Sequence, residues 1–581
     1  MKSTGASEQS FTGNGKEDIL SLFFLSLLMI VIHTIIAFSI PWETKVVCND
    51  DWAYSWACQQ WFEQGTLRLH PAAMAWGLPQ LILGNLVCLI SGNASGELLR
   101  WVGLAIGIAC VYLFYASLRI FGDRPLSAAA KSCLLAVNPL VVPLSWSFMT
   151  DMMFLLLILV AVSAIGLSGR TMKLPVLLLT GVAIGLVTLQ RQYGLALLLV
   201  FLIQPAVWQR RRVWVTLVGI LVPFVFLFVV WHWLDQGGGN VSGLLPRLQI
   251  IFRTLTDRPL QSITNFCSAW QQGLALISLF WLPFELMTPR KWQPKVLLGC
   301  ALIFLLSELK LIYSSPAEFG FAALDRVTWA HFYYFGLIGE GLHDTAIIHQ
   351  LRPGTPDLEE IILLIHLVSL ISGTLLLSRI IEALSKACEN GYRRFPGSVP
   401  VPLASFLLLL SVVVTISVLS QFFLFDRYLL ICIAMAGFLY KGKIYKWRLM
   451  TGFYLCFSLV LAGISITGTI DYWRWSAARF QLIQQLIAEG VEPQEIDGGY
   501  GYHGLKTPVR ITKDGKVNTE WETYWSGKIR RYCIEFNRGG SGYQELTVMP
   551  FESPLYRRKD SLLYLKMLPT LPPTEKKNIR E

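Results

Sequence analysis

Runs of about 20 apolar residues recur along most of this chain, and no other feature limits its fold so strongly. Inside a bilayer every backbone N–H and C=O must find a partner within the protein, so such runs fold as helices. Of the 581 residues, 54% are hydrophobic and only 15% are charged. A soluble domain carries about 25% charge. The chain therefore reads as an all-α polytopic membrane protein. The first run, Ile19 to Ile40, is followed by no small-residue cleavage pattern and is expected to be retained.

Loop charge sets the topology. Basic clusters stand at Arg119/Arg124, Arg170/Lys173, Arg210-Arg211-Arg212, Arg290-Lys291/Lys295, Lys386/Arg393-Arg394 and Lys441/Lys443/Lys446/Arg448. If these loops are cytoplasmic, they alternate with loops on the other face only for thirteen spans. These run roughly 19–40, 98–118, 127–146, 150–168, 174–189, 193–208, 213–233, 266–287, 295–313, 360–380, 402–424, 428–440 and 449–468. The amino terminus is then cytoplasmic, the carboxyl terminus external, and the expected location is the inner or plasma membrane. The apolar stretch 71–92 is left out of the count, because including it would place every later basic loop outside. Its Gly77, Pro79 and Gly84 suit a surface or re-entrant helix.

The net charge of +11 belongs to these loops and does not point to nucleic acid. Eleven scattered cysteines form no CxxC, so no metal site is legible. Cys48 and Cys58 could pair in an oxidising compartment or remain free thiols. Residues 1–18 read as a disordered cytoplasmic segment and 19–468 as the membrane domain, with a first external loop at 41–97. Charge rises after 469. An amphipathic Phe480–Ala488 and alternating Arg531–Phe536 and Glu545–Met549 suggest a small external α/β module over 469–568. The tail 569–581 is Pro-rich, charged and expected to be disordered.

Polar groups collect at the external helix ends. Asp50 and Asp51 follow the first span in Cys48-Asn49-Asp50-Asp51-Trp52-Ala53-Tyr54. Asp151 opens the fourth span, Arg191 and Gln192 join the fifth to the sixth, and Asp426-Arg427 lies between the eleventh and twelfth. Each charge costs about 2.5–3.5 kcal/mol at membrane depth. Arginines read phosphate, and a carboxylate can take a proton from a hydroxyl or hold a divalent cation. The blander readings are a local Asp426–Arg427 salt bridge, Asp151 as a helix cap and a snorkelling Arg191. His70, His331 and His343 read as packing or surface histidines, and Trp52, Tyr54, Trp56 and Trp61 as an interfacial belt.

These residues resemble the GT-C superfamily of membrane glycosyltransferases, and within it glycosyltransferase family 39, which holds protein O-mannosyltransferases and the aminoarabinose transferases of lipid A modification. An acidic pair with a nearby tyrosine follows the first span in that group, as Asp50-Asp51-Trp52-Ala53-Tyr54 does here. A second acid opens the fourth span, matched by Thr150-Asp151, and two juxtamembrane helices correspond to 52–64 and 71–92. Gln190-Arg191-Gln192-Tyr193-Gly194, Phe425-Asp426-Arg427-Tyr428 and Ile496-Asp497-Gly498-Gly499-Tyr500 also look like bacterial members. Asp51 stands where Glu is usual, and the His-Pro-Pro feature of the O-mannosyltransferases is reduced to His70-Pro71.

The resemblance implies a GT-C-like fold and transfer of a sugar from a polyprenyl-phosphate donor to a glycan, lipid or protein acceptor on the external face, with inversion. Asp50 and Asp51 would be catalytic. Tyr54, Asp151, Arg191, Gln192, Asp426 and Arg427 would bind substrate. No cofactor is expected, although the carboxylates could take a divalent cation. Membrane lipids are the remaining partners. The rival class is a lipid-linked sugar flippase or transporter, against which stands the lack of two related halves.

Overall fold

A computed structural model describes residues 15–42, 50–70, 73, 75–171, 173–204, 213–235, 244–288, 293–314, 327–328, 359–394, 400–419, 424–440, 448–499, 502–504, 509–511, 517–519, 530–535, 544–550, 552 and 562–567. The first half runs α1 (Gly15–Ser39), α2 (Asp51–Gln64), α3 (Leu78–Ser91), α4 (Gly96–Ile120), α5 (Pro125–Ala136), α6 (Val141–Ser145), α7 (Thr150–Thr171), α8 (Leu174–Gln190) and α9 (Leu195–Leu202). The second half runs α10 (Val213–Asp235), α11 (Leu244–Asp257), α12 (Pro259–Met287), α13 (Pro294–Ser314), α14 (Glu359–Arg394), α15 (Val401–Val414), α16 (Leu430–Gly437) and α17 (Arg448–Ala488).

Every expected span contains helix. Among the described residues, six helices (α1, α4, α7, α10, α14 and α17) are long and apolar enough to cross a membrane by length and composition. The expected span 127–146 is broken in two. Pro139 denies the helix a donor, and the Asn138 side chain accepts from the Leu140 N–H at 2.8 Å, which closes a turn between α5 and α6. α3 has 14 residues, about 21 Å of helix and shorter than a bilayer core. It packs against α2, α4, α7 and α8.

The bundle has two chemically distinct ends. At one, Arg119 near the end of α4 pairs with Asp18 near the start of α1 at 2.8 Å. Arg170, in the last turn of α7, reaches the Ile120 carbonyl at 3.0 Å. Fully buried Lys131 meets Asp123 and the Tyr440 carbonyl, each at 2.6 Å. At the other end lie the start of α7, the end of α8 and the start of α16. Two glycines on α4 set the approach to α6 and the turn that follows it. A Cβ at Gly103 would overlap the Ser147 carbonyl and one at Gly107 the Ser145 side chain, so glycine lets this backbone lie close.

Past 468 the helix carries on. The expected span 449–468 and the expected amphipathic Phe480–Ala488 belong to one helix, α17, which runs unbroken for 41 residues, about 60 Å. The drop in hydropathy does not stop a helix that meets no Pro or Gly between Thr469 and Glu489. Arg474 Nε donates to the Ser39 carbonyl at 3.0 Å and ties α17 to the end of α1. Beyond α17 is a four-stranded sheet in the order β1 (Ile496–Asp497), β2 (Tyr532–Glu535), β4 (Leu562–Met567), β3 (Gln544–Pro550). The β1–β2 pair is parallel and the others antiparallel.

Candidate functional site

Asp50 and Arg427 are separated by 377 positions, yet Arg427 Nη2 donates to Asp50 Oδ2 at 3.0 Å. Asp50 occupies the cap position of α2 but makes no side-chain capping bond to that helix. Its carboxylate is turned to the arginine instead. The Arg427 side chain is 4% exposed and that of Asp50 16%, so the acid is the wetter partner. Arg427 also reaches Met149 Sδ at 3.7 Å, which joins the pair to the segment leading into α7. Arg427 thus has a tertiary acidic partner far from it in sequence. The side chain of Asp426 lies outside the described residues.

A second acid–arginine pair adjoins the first. Arg191 Nη2 lies 2.9 Å from Asp151 Oδ2, with side chains 9% and 3% exposed. Arg191 also donates twice to Thr150 Oγ1, at 2.7 and 3.1 Å. Asp151 stands in the first turn of α7, where the partial positive charge of the helix end favours an anion. Both guanidiniums lie over the Tyr428 ring, each 5.4 Å from its centroid, so they are no more than twice that distance apart. Tyr193 meets the same ring edge-on at 6.5 Å. Four charged groups from α2, α7, the end of α8 and the start of α16 therefore share one buried cluster.

The surroundings fix this geometry. The Gln190 amide donates to Gln80 Oε1 and to the Thr150 carbonyl, both at 3.2 Å, and its backbone carbonyl accepts from Gly77 N–H at 3.1 Å. Gln80 in turn donates to the Phe148 carbonyl at 2.8 Å. Gln192 was expected to contribute from this junction; it is half-buried in the short turn after α8, and Gln190 carries the network. The Gln190 contact was hidden in the sequence because two glutamines flank Arg191 and only the three-dimensional turn decides which faces inward.

Tyr54 is buried, and its hydroxyl accepts from Ala75 N–H at 3.1 Å. Burial pushes its phenol up to about 12, with Arg191 pulling it back and Asp50 adding to the rise. It is therefore a neutral hydrogen-bonding group. Trp52 and Tyr54 are each 3% exposed, which corrects the belt reading for these two. His70 packs edge-on between Trp52 and Trp56, with ring centroids 4.6 and 5.4 Å away. Burial pushes its pKa down to about 4, so it stays neutral at ordinary pH. Asp51 is buried at 4% exposure beside Asp50. Cys58 is buried as a free thiol, and Cys48 lies outside the described residues. So do the acids and histidines of loop 314–359. Among the described residues, no group of three or more His, Cys, Asp and Glu side chains is arranged to hold a metal ion.

The Ile496-Asp497-Gly498-Gly499 segment forms a separate feature. Asp497 Oδ1 accepts from Gly499 N–H at 3.1 Å and pairs with His503 Nε2 at 2.9 Å. Burial pushes the Asp497 carboxyl up, but the His503 bond, the Gly499 N–H and the Arg530 charge outweigh it and hold the carboxyl below its ordinary value.

No family model and no curated protein matches this chain. Among solved structures it is similar to the Saccharomyces cerevisiae protein O-mannosyltransferase Pmt1-Pmt2 complex bound to the sugar donor, at 19% identity over 37% of this chain and 33% of that one, with a TM-score of 0.30. It is also similar to the Archaeoglobus fulgidus oligosaccharyltransferase AglB in complex with an inhibitory peptide and a dolichol-phosphate, at 12% identity over 82% of this chain and 59% of that one, TM-score 0.41. A third is ArnT from Cupriavidus metallidurans bound to undecaprenyl phosphate, at 16% identity over 84% of each chain, TM-score 0.33. This chain thus spans well under two thirds of the first two. Superpositions this loose transfer no residue roles.

Proposed function

We propose that this protein is a membrane glycosyltransferase that moves a sugar from a polyprenyl-phosphate donor to an acceptor hydroxyl at the external face. The supporting observation is the pairing of two acids with two arginines, Asp50–Arg427 and Asp151–Arg191, in one cluster at one end of an apolar helix bundle. Each arginine faces one carboxylate, and buried Asp51 adds a third acid beside Asp50. An incoming phosphate monoanion therefore competes with carboxylates for the arginines. The wetter carboxylate, Asp50, is the one that yields.

The donor's apolar chain lies among the helices, and its phosphate binds Arg427 with Arg191 close by. Asp50, released from Arg427, accepts the proton of the acceptor hydroxyl as that oxygen attacks the anomeric carbon. The bond from that carbon to the phosphate oxygen breaks, and its electron pair leaves with the polyprenyl phosphate. The arginines stabilise the charge gained by the leaving group. Attack opposite the leaving phosphate inverts the anomeric centre. Asp151 keeps Arg191 oriented, while Tyr54 and Asp51 line the acceptor side.

Reconstitution into vesicles with a radiolabelled polyprenyl-phosphate sugar tests this. Release of polyprenyl phosphate with label passing to an acceptor supports transfer. Movement of the intact lipid between leaflets without cleavage makes the protein a flippase and removes the proposal.

A further inference from the structure

The segment that follows β1 touches the helix that begins at the acids. Gly504 lies flat against the Trp52 indole, and a Cβ at that position would overlap the ring. Trp52 belongs to the first turn of α2, directly after Asp50 and Asp51. That turn lacks the side-chain cap Asp50 could have supplied, so its placement depends on tertiary contact. The contact is tight on both sides. His70 backs Trp52 edge-on, and the loop is closed on itself. His503 N–H donates to the Gly499 carbonyl at 3.0 Å, His503 Nε2 meets Asp497 at 2.9 Å, and the Tyr502 hydroxyl donates to the Pro493 carbonyl at 3.1 Å. Tyr502 is fully buried and meets Phe480 of α17 edge-on. The described residues of this segment, seated on a long helix, therefore press one glycine against the base of the acidic turn.

We infer that Asp497, His503 and Gly504 are positioning residues for the transfer site: they hold Trp52, and through it Asp50 and Asp51, in the geometry that faces Arg427. This rests on the glycosyltransferase reading, but the structural half stands apart from it. His503 is 6% exposed and acts through Asp497 and the loop, not on substrate. Displacing a reacting group by an ångström costs up to about 100-fold in rate, so a small shift of this turn is enough to register.

The test uses the full chain carrying His503→Ala, His503→Gln or Gly504→Ala. Hydrogen exchange over residues 50–58 reads the turn directly, without any need for activity. His503→Ala and Gly504→Ala should raise exchange there about tenfold, with α4 and α7 unchanged. His503→Gln keeps an amide N–H toward Asp497 and should stay near the wild type. In the transfer assay the two damaging variants should lose about 10–100-fold in kcat while the donor KM stays within about twofold. Unchanged exchange over 50–58, exchange rising through the whole bundle, or His503→Gln failing as badly as His503→Ala would overturn the inference. A wild type that transfers no sugar would instead sink the transferase reading and leave the exchange result to judge this one.

Discussion

Asp50→Asn separates chemistry from architecture, because asparagine has nearly the same shape and still offers Arg427 a carbonyl oxygen. The 3.0 Å hydrogen bond survives; the charge does not. Arg427 keeps its charge, so the bond stays charge-assisted, but the buried guanidinium loses a counter-charge; breaking a buried pair costs about 3–5 kcal/mol, which sets the upper limit at this partly wet contact. In a chain of 581 residues that is a shift of a few degrees in the unfolding midpoint. An amide cannot accept the acceptor's proton, and a positioned general base contributes about 100- to 10,000-fold, so transfer should fall by at least the lower figure. Donor affinity should move the other way. With no carboxylate competing for Arg427, the lipid phosphate should bind about tenfold more tightly, equivalent to about 1.4 kcal/mol. The assay is single-turnover transfer from a radiolabelled polyprenyl-phosphate sugar, with lipid binding measured on the same preparation. A variant that transfers at the wild-type rate, or binds the lipid phosphate more weakly, refutes the reasoning.

Other outcomes follow from the same geometry. Arg427→Met should weaken binding of polyprenyl phosphate by more than about tenfold in a lipid-binding titration, since the fork that grips the phosphate is gone. At the opposite end, Lys131→Met strands the buried Asp123 carboxylate and should cost about 3–5 kcal/mol in thermal unfolding followed by tryptophan fluorescence, part of which Lys131→Met with Asp123→Asn should recover. His70 has a pKa of about 4 when folded and 6.5 when free. Between those values the unfolded chain takes up a proton that the folded chain refuses. The stabilisation is thus complete above 6.5 and lost as pH falls towards 4, by about 3 kcal/mol at most. A His70→Phe chain should lack that acid-sensitive window in a pH series of unfolding midpoints.

Hydropathy made the helices legible because each span must satisfy its own backbone, a local requirement written in consecutive residues. The same property hid the break at Asn138, where Pro139 interrupts a run that remains apolar throughout. It also hid the continuation of α17, which leaves the apolar region without ceasing to be helical. Loop charges placed Asp50, Asp151, Arg191 and Arg427 at one end of the bundle. They could not tell which acid meets which arginine, because a pair 377 positions apart leaves no local trace. Asp50 is a partner of Arg427 in space that its sequence neighbours do not announce. The strands at 532–535 and 544–550 showed in alternation. The docking of Gly504 on Trp52 did not, since a contact made by a missing side chain has no composition to read.

The claim that supports the rest is that lipid phosphate replaces Asp50 on Arg427. A cryo-electron microscopy structure of the protein saturated with polyprenyl phosphate measures this directly. The account expects the phosphate within hydrogen-bonding distance of Arg427, with the Asp50 carboxylate swung away from it. Phosphate density elsewhere, with the Asp50–Arg427 bond intact, would contradict it.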